Sequence, residues 1–149
     1  MIVRIFLTVL LMVIGLSASA SDGLVSVKSP HTVSVTMDRL EALVKDRGLK
    51  VFARIDHAAG ARSIDQSLRP TQLLIFGNPK GGTPFMQCAQ TVGIDLPLKA
   101  LAWEDDAGQV WLGYNNPIWL AKRHSVPDCP VAEKLASALN DLVQFTVAP

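Results

Sequence analysis

An acid and an imidazole stand side by side at Asp56-His57, and a lysine, two glycines and a threonine follow one another in Asn78-Pro79-Lys80-Gly81-Gly82-Thr83. The first pair has the residue types that proton transfer needs. Placed at the end of a strand, however, the two side chains point to opposite faces and cannot bond one another unless the chain bends at Ala58. His57 then falls in phase with the buried face, where a hydrogen-bonded structural histidine would also sit. The second segment joins a strand end to a helix N-terminus, whose N–H groups can hold a small anion. It departs from the G-x-x-x-x-G-K-[ST] phosphate loop, and Pro84 removes one donor, so a plain strand-to-helix turn capped by Thr83 explains the same residues. Tyr114, followed by Asn115-Asn116, makes a similar junction, with the ring in the core and Asn116 as cap for its structural alternative. The candidate ligand-binding set is therefore Asp56, His57, Asn78, Lys80, Gly81, Gly82, Thr83 and Tyr114.

Other chemistries find no constellation. His31, His57 and His124 are scattered, with no H-x-x-x-H, H-E-x-x-H or Cys-His cluster, so neither a metal nor a cofactor is expected. There is no G-x-S-x-G elbow. Cys88 and Cys129 are too far apart for a C-x-x-C redox pair, and in an exported chain they are expected to form a structural disulfide; two buried free thiols are the other reading.

Export is expected from the first twenty residues. Arg4 precedes an apolar run from Ile5 to Ile14, and Ala18-Ser19-Ala20 offers the small-x-small pattern of a signal peptidase, with cleavage before Ser21 and a periplasmic address. The run is too short for a bilayer, which needs roughly 20 apolar residues. Residues 21–149 then form one domain. Without Arg4 the 14 basic residues become 13 against 13 acidic ones, and a neutral chain gives no reason to expect nucleic acid or an anionic membrane as partner.

The elements that must position these residues alternate in hydrophobic period. Val25, Val27, Val33 and Val35 around Ser29-Pro30 suggest two strands and a turn. Met37, Leu40 and Val44 mark a helix stopped at Gly48. From Leu49 to Asp56 the period is two, with Leu49, Val51, Ala53 and Ile55 on one face. Leu73 to Phe76 is a continuous apolar run, the pattern of a strand buried on both faces. Thr83-Pro84 opens a helix through Phe85, Cys88, Ala89 and Val92. Asp105 to Gly108 is the loop of a hairpin that sets Trp103 opposite Val110 and Leu101 opposite Leu112 on the core side. Trp111, with Ala100, Ala102 and Gly113, is left on the other face. Asn116-Pro117 and Cys129-Pro130 open two further helices. The sum is α+β: a small mixed sheet with an antiparallel hairpin, packed against about four helices.

Several segments in this order resemble the DUF302 family: Ile55 to Ala61, Leu68-Arg69-Pro70, Leu74 to Pro79, Gly82 to Met86, Asp95 to Lys99, and Trp111 to Pro117. The resemblance covers most of the expected mature chain. It implies a small α+β fold and a tendency to dimerise, and it brings no assigned activity and no site residues.

Function therefore rests on the residues. The absence of a complete triad, metal cluster or cofactor motif favours a small periplasmic binding or accessory module, homodimeric, with a small anionic ligand as its candidate partner. The alternatives are an enzyme of unassigned reaction using Asp56 or His57 as acid or base, and a purely structural dimer.

Overall fold

The computed structural model describes residues 23–149; the expected signal segment and the Ser21 cleavage point lie outside the described residues. Alternation of Val25 and Val27 with polar residues makes β1 (Leu24–Ser29), but it does not continue past the turn. Thr32 accepts a hydrogen bond from the Val35 N–H and caps α1 (Val33–Asp46), so the second strand expected at Val33 and Val35 is a helix. Its buried stripe of Val33, Met37, Leu40 and Val44 has the spacing of a single helical face. The chain continues through β2 (Lys50–Asp56), α2 (His57–Arg62), β3 (Thr71–Gly77) and α3 (Pro79–Cys88). A 3-10 segment (Gln90–Ile94), β4 (Leu98–Glu104), β5 (Val110–Asn115), α4 (Pro117–Arg123) and α5 (Pro130–Val147) complete it.

The class is α+β as expected. The five strands form one sheet in the order β1-β5-β4-β3-β2, and every pairing is antiparallel. Three further local expectations are corrected. In β2 the register slips between Val51 and Ala53, a bulge at Phe52 that reverses the inside-outside phase. Val51 accordingly packs on the helix-side core, and Arg54 reaches Asp38 of α1 at 2.6 Å and Gln72 at 2.8 Å, while Phe52 stands 50% exposed. In the hairpin the loop runs through Gln109: the Asp105 carboxylate accepts from the Ala107 and Gln109 N–H groups and from the Trp111 indole at 2.8 Å. The indole first, then those backbone donors, hold that carboxyl below its ordinary range. The longer loop shifts the partners by one, pairing Trp103 with Trp111 and Ala102 with Leu112. Ala100 and Ala102, not Leu101 and Trp103, are the buried residues of β4. The third correction concerns α3. It starts at Pro79, with Asn78 as cap, and Pro84 lies inside it.

The helices divide the interior in two. Leu74, Phe76, Ala100, Ala102, Leu112 and Tyr114 pack under α1 and the C-terminal half of α5. Phe85, Val92, Leu120, Ala121 and Ala132 form a second cluster between α3, the 3-10 segment, α4 and the N-terminal half of α5. The expected Cys88–Cys129 disulfide is present, with the two Cα atoms 6.0 Å apart, and closes this second cluster by fastening the end of α3 to the start of α5. Leu73, Ile75, Leu101, Trp103 and Trp111 alternate with the buried strand residues and so point away from α1 and α5. All five are half-buried. Trp111 stacks there on Trp103, with ring centroids 6.4 Å apart and Lys28 over its ring. Trp119 turns instead into the second cluster, against Gly23.

Candidate ligand cavity

The seam between the two apolar clusters is incompletely filled. Leu49 and Leu98 come to it from the sheet-side core, Met86, Leu96 and Leu135 from the second cluster, and between them lies a cavity of about 340 Å³. Glycine is what keeps it open. Gly77, Gly81, Gly82 and Gly93 all line it. A methyl group on Gly82 would make ordinary contact, 3.6 Å, with Leu96, whereas one on Gly93 would press on the Met86 sulfur at 3.3 Å and one on Gly81 on Leu135 at 3.1 Å. The rest of the wall is Phe52, Asn78, Pro79, Thr83 and Pro97, so the lining holds no charged side chain.

Half of the expected site residues belong to this wall. Asn78, Gly81, Gly82 and Thr83 line the cavity, and Lys80 is exposed between lining neighbours. The other members lie elsewhere. β2 and β3 run antiparallel, with Lys50 opposite Gly77 and Asp56 opposite Gln72, so Asp56 and His57 sit at the far end of the strand pair from Asn78. Asp56 is the N-cap of α2, accepting from the Ala59 N–H at 2.8 Å, and His57 is the first, exposed residue of that helix. Tyr114 is 5% exposed in the sheet-side core, where burial raises its phenol above the usual tyrosine range. Two donors of the first turn of α3 are engaged: Gly81 N–H bonds the Asn78 side-chain oxygen at 3.0 Å and Gly82 N–H the Asn78 carbonyl at 3.1 Å. An anion seated on that helix end would have to displace them.

One polar cluster escaped sequence reasoning. His124 Nε2 lies 2.6 Å from Asp95 Oδ2, its Nδ1 lies 2.9 Å from the Thr91 hydroxyl, and Arg123 reaches the other Asp95 oxygen at 3.2 Å. The His124 and Asp95 side chains are only 8% and 13% exposed. Asp95 accepts from the ring at Nε2, and Nδ1 shares a hydrogen bond with the Thr91 hydroxyl. The network fixes the 3-10 segment and the Leu96-Pro97 wall to the end of α4, and Asp95 also lines a second cavity of about 200 Å³ with Lys99 and Asn115. Its members are separated by about thirty positions and carry no spacing motif; the only sequence signal was a histidine directly after a short, capped helix.

Sheet order, two helices on one face and a glycine-walled seam define a small α+β domain with an open antiparallel sheet. The profile of the domain of unknown function DUF302 matches residues 25–142. The chain belongs to that family. An uncharacterized conserved DUF302 protein from Bacillus stearothermophilus, known from a crystal structure, has the same fold: TM-score 0.76 at 19% identity, over 84% of this chain and 98% of that one. The chain is also 53% identical over 105 residues to fluoride-specific ion channel FluC 1 of Brucella suis and to FluC 2 of Brucella melitensis. That match covers 70% of this chain but 41% and 39% of theirs, so the chain spans about two fifths of the length of the curated relatives it matches.

Proposed function

We propose that the protein is an exported, periplasmic accessory module that binds a small ligand with an apolar body in the seam cavity, and that it works as a homodimer. The observation that carries the binding reading is the cavity. Its volume of about 340 Å³ falls within the range of small-molecule sites, roughly 300–1,000 Å³. A domain with no use for a ligand gains by filling such a space, since each buried methylene contributes about 0.8 kcal/mol. Gly82 has room for a side chain in that space, and Gly81 and Gly93 let Leu135 and Met86 approach its wall closely. Export is supported by the charged, apolar and small-residue pattern of positions 1–20. The half-buried tryptophan stack on the sheet face turned away from α1 and α5 supports a dimer, because a symmetric pair lets one surface cover itself. The accessory role draws on the longer Brucella relatives, in which a stretch like this one is part of a protein named as a fluoride-specific ion channel. The acid-base alternative loses support because Asp56 is engaged as a helix cap, with His57 exposed beside it.

An apolar fluorescent probe such as 1-anilinonaphthalene tests the reading. It should brighten on the wild-type protein and stay dim with Gly82→Leu, whose side chain enters the cavity from α3. Equal brightening in both would remove the cavity as the site.

A further inference from the structure

The chemistry of the ligand can be read from the contrast between the cavity's wall and its rim. Inside, a ligand meets mostly hydrocarbon, glycine backbone and the Met86 thioether; of the two polar side chains in the wall, the Asn78 oxygen is already bonded to the Gly81 N–H, and Thr83 offers a neutral hydroxyl. Two lysines adjoin lining residues. The Lys50 ammonium lies 5.2 Å from the ring centroid of Phe52, a lining residue half exposed to solvent, and Lys80 is exposed between the lining residues Pro79 and Gly81. Neither lysine belongs to an ion pair among the described residues. The acid adjoining the wall, Asp95 beside Leu96, is already matched by His124 and Arg123. The rim is thus positive and the interior apolar.

We infer that the cavity takes a single-chain anionic amphiphile, its hydrocarbon chain in the seam and its head group at the Lys50 and Lys80 rim. This rests on the cavity being the ligand site. It also locates the negative charge that the lysine-glycine segment suggested from sequence: the anion meets side-chain ammonium groups at the edge, while the helix N–H groups stay with Asn78. A free carboxylate and a lysophospholipid share this chemistry.

Titration of the mature protein with octanoate, decanoate and neutral decanol at low salt separates the parts. Decanoate should bind about fifteenfold tighter than octanoate, the value of two buried methylenes. It should also bind several-fold tighter than decanol, an advantage that shrinks at high salt, which screens exposed charges. In the Lys50→Glu/Lys80→Glu double variant, with folding checked by its thermal midpoint, decanol should bind as before while the advantage of decanoate is lost. A decanoate-to-decanol ratio unchanged by both substitutions would overturn the amphiphile inference and leave the cavity as an apolar site. Failure of all three ligands would overturn the binding reading itself. Competition by decanoyl lysophosphatidylglycerol supports the lipid form of the ligand, and its failure beside tight decanoate binding supports the free acid.

Discussion

The indole of Trp103 lies over the bare backbone of Gly113, where a Cβ would stand 3.0 Å from the ring and 3.0 Å from the Val25 carbonyl oxygen. Glycine at that position lets the ring lie flat on the sheet and stack on Trp111. Gly113→Ala should therefore overpack the face and lower unfolding stability by about 1–3 kcal/mol. A lower denaturant midpoint together with altered tryptophan fluorescence checks this; an unchanged midpoint would mean that the ring moves aside freely.

That contact also shows where sequence reading reached and where it stopped. The hairpin, its turn residues and the placing of Trp111 and Gly113 opposite Leu112 were legible from turn chemistry and alternation. The partner across the strand was not, because register depends on whether the loop closes before or after Gln109, and Asp105 decides that with bonds to Ala107, Gln109 and Trp111. The start of α3 failed in a similar way. Asn78-Pro79 and Thr83-Pro84 are both cap-then-proline pairs five positions apart, and composition does not rank them. In the fold Asn78 reaches the Gly81 N–H, and Pro84 is carried within the helix. The bulge at Phe52 left no mark in the alternation, yet Phe52 belongs to the cavity wall. Half of the candidate site was legible, because one strand-to-helix turn supplies it. Asp56 and His57 were grouped with that turn by residue type, and strand polarity puts them at the far end of the strand pair. Tyr114 does end at the same side of the sheet as Phe76, since β3 and β5 both run antiparallel to β4, but its ring is buried in the sheet-side core.

Tyr114 gives a direct titration, being the one tyrosine of the chain. Its phenol is raised above its ordinary value of about 10 by burial. The sign follows from which state holds the proton: above the unfolded value the unfolded chain ionises while the native chain does not. Its contribution to stability should thus be constant below that pH and be lost as pH rises through it toward the native value. Absorbance at the tyrosinate band should show ionisation displaced upward and coincident with loss of near-ultraviolet circular dichroism. Ionisation at the ordinary value in a folded protein would contradict the buried placement.

The Cys88–Cys129 bridge spans 41 positions. A loop of that length restricts the unfolded chain by about 4 kcal/mol in the loop-entropy account. Cys88→Ser/Cys129→Ser should lower the unfolding free energy by an amount of that order. A loss under 1 kcal/mol would show that α3 and α5 hold together without it.

Light scattering at micromolar concentration should return twice the chain mass for the mature protein, and a shift toward one chain for Trp111→Ala. Aromatic anchors at the centre of an interface typically contribute about 2 kcal/mol or more each. A monomeric mass, unaffected by Trp111→Ala, would leave the Trp103–Trp111 stack as packing within a single chain.

The glycine-walled seam is expected to hold a ligand in the compartment where the protein works. Native mass spectrometry of protein recovered from the periplasm without detergent measures this in one spectrum. The account predicts a wild-type species beginning at Ser21 that carries added mass, released on denaturation as a small amphiphile and absent from Gly82→Leu. A bare wild-type chain, or the same added mass on both proteins, would contradict it.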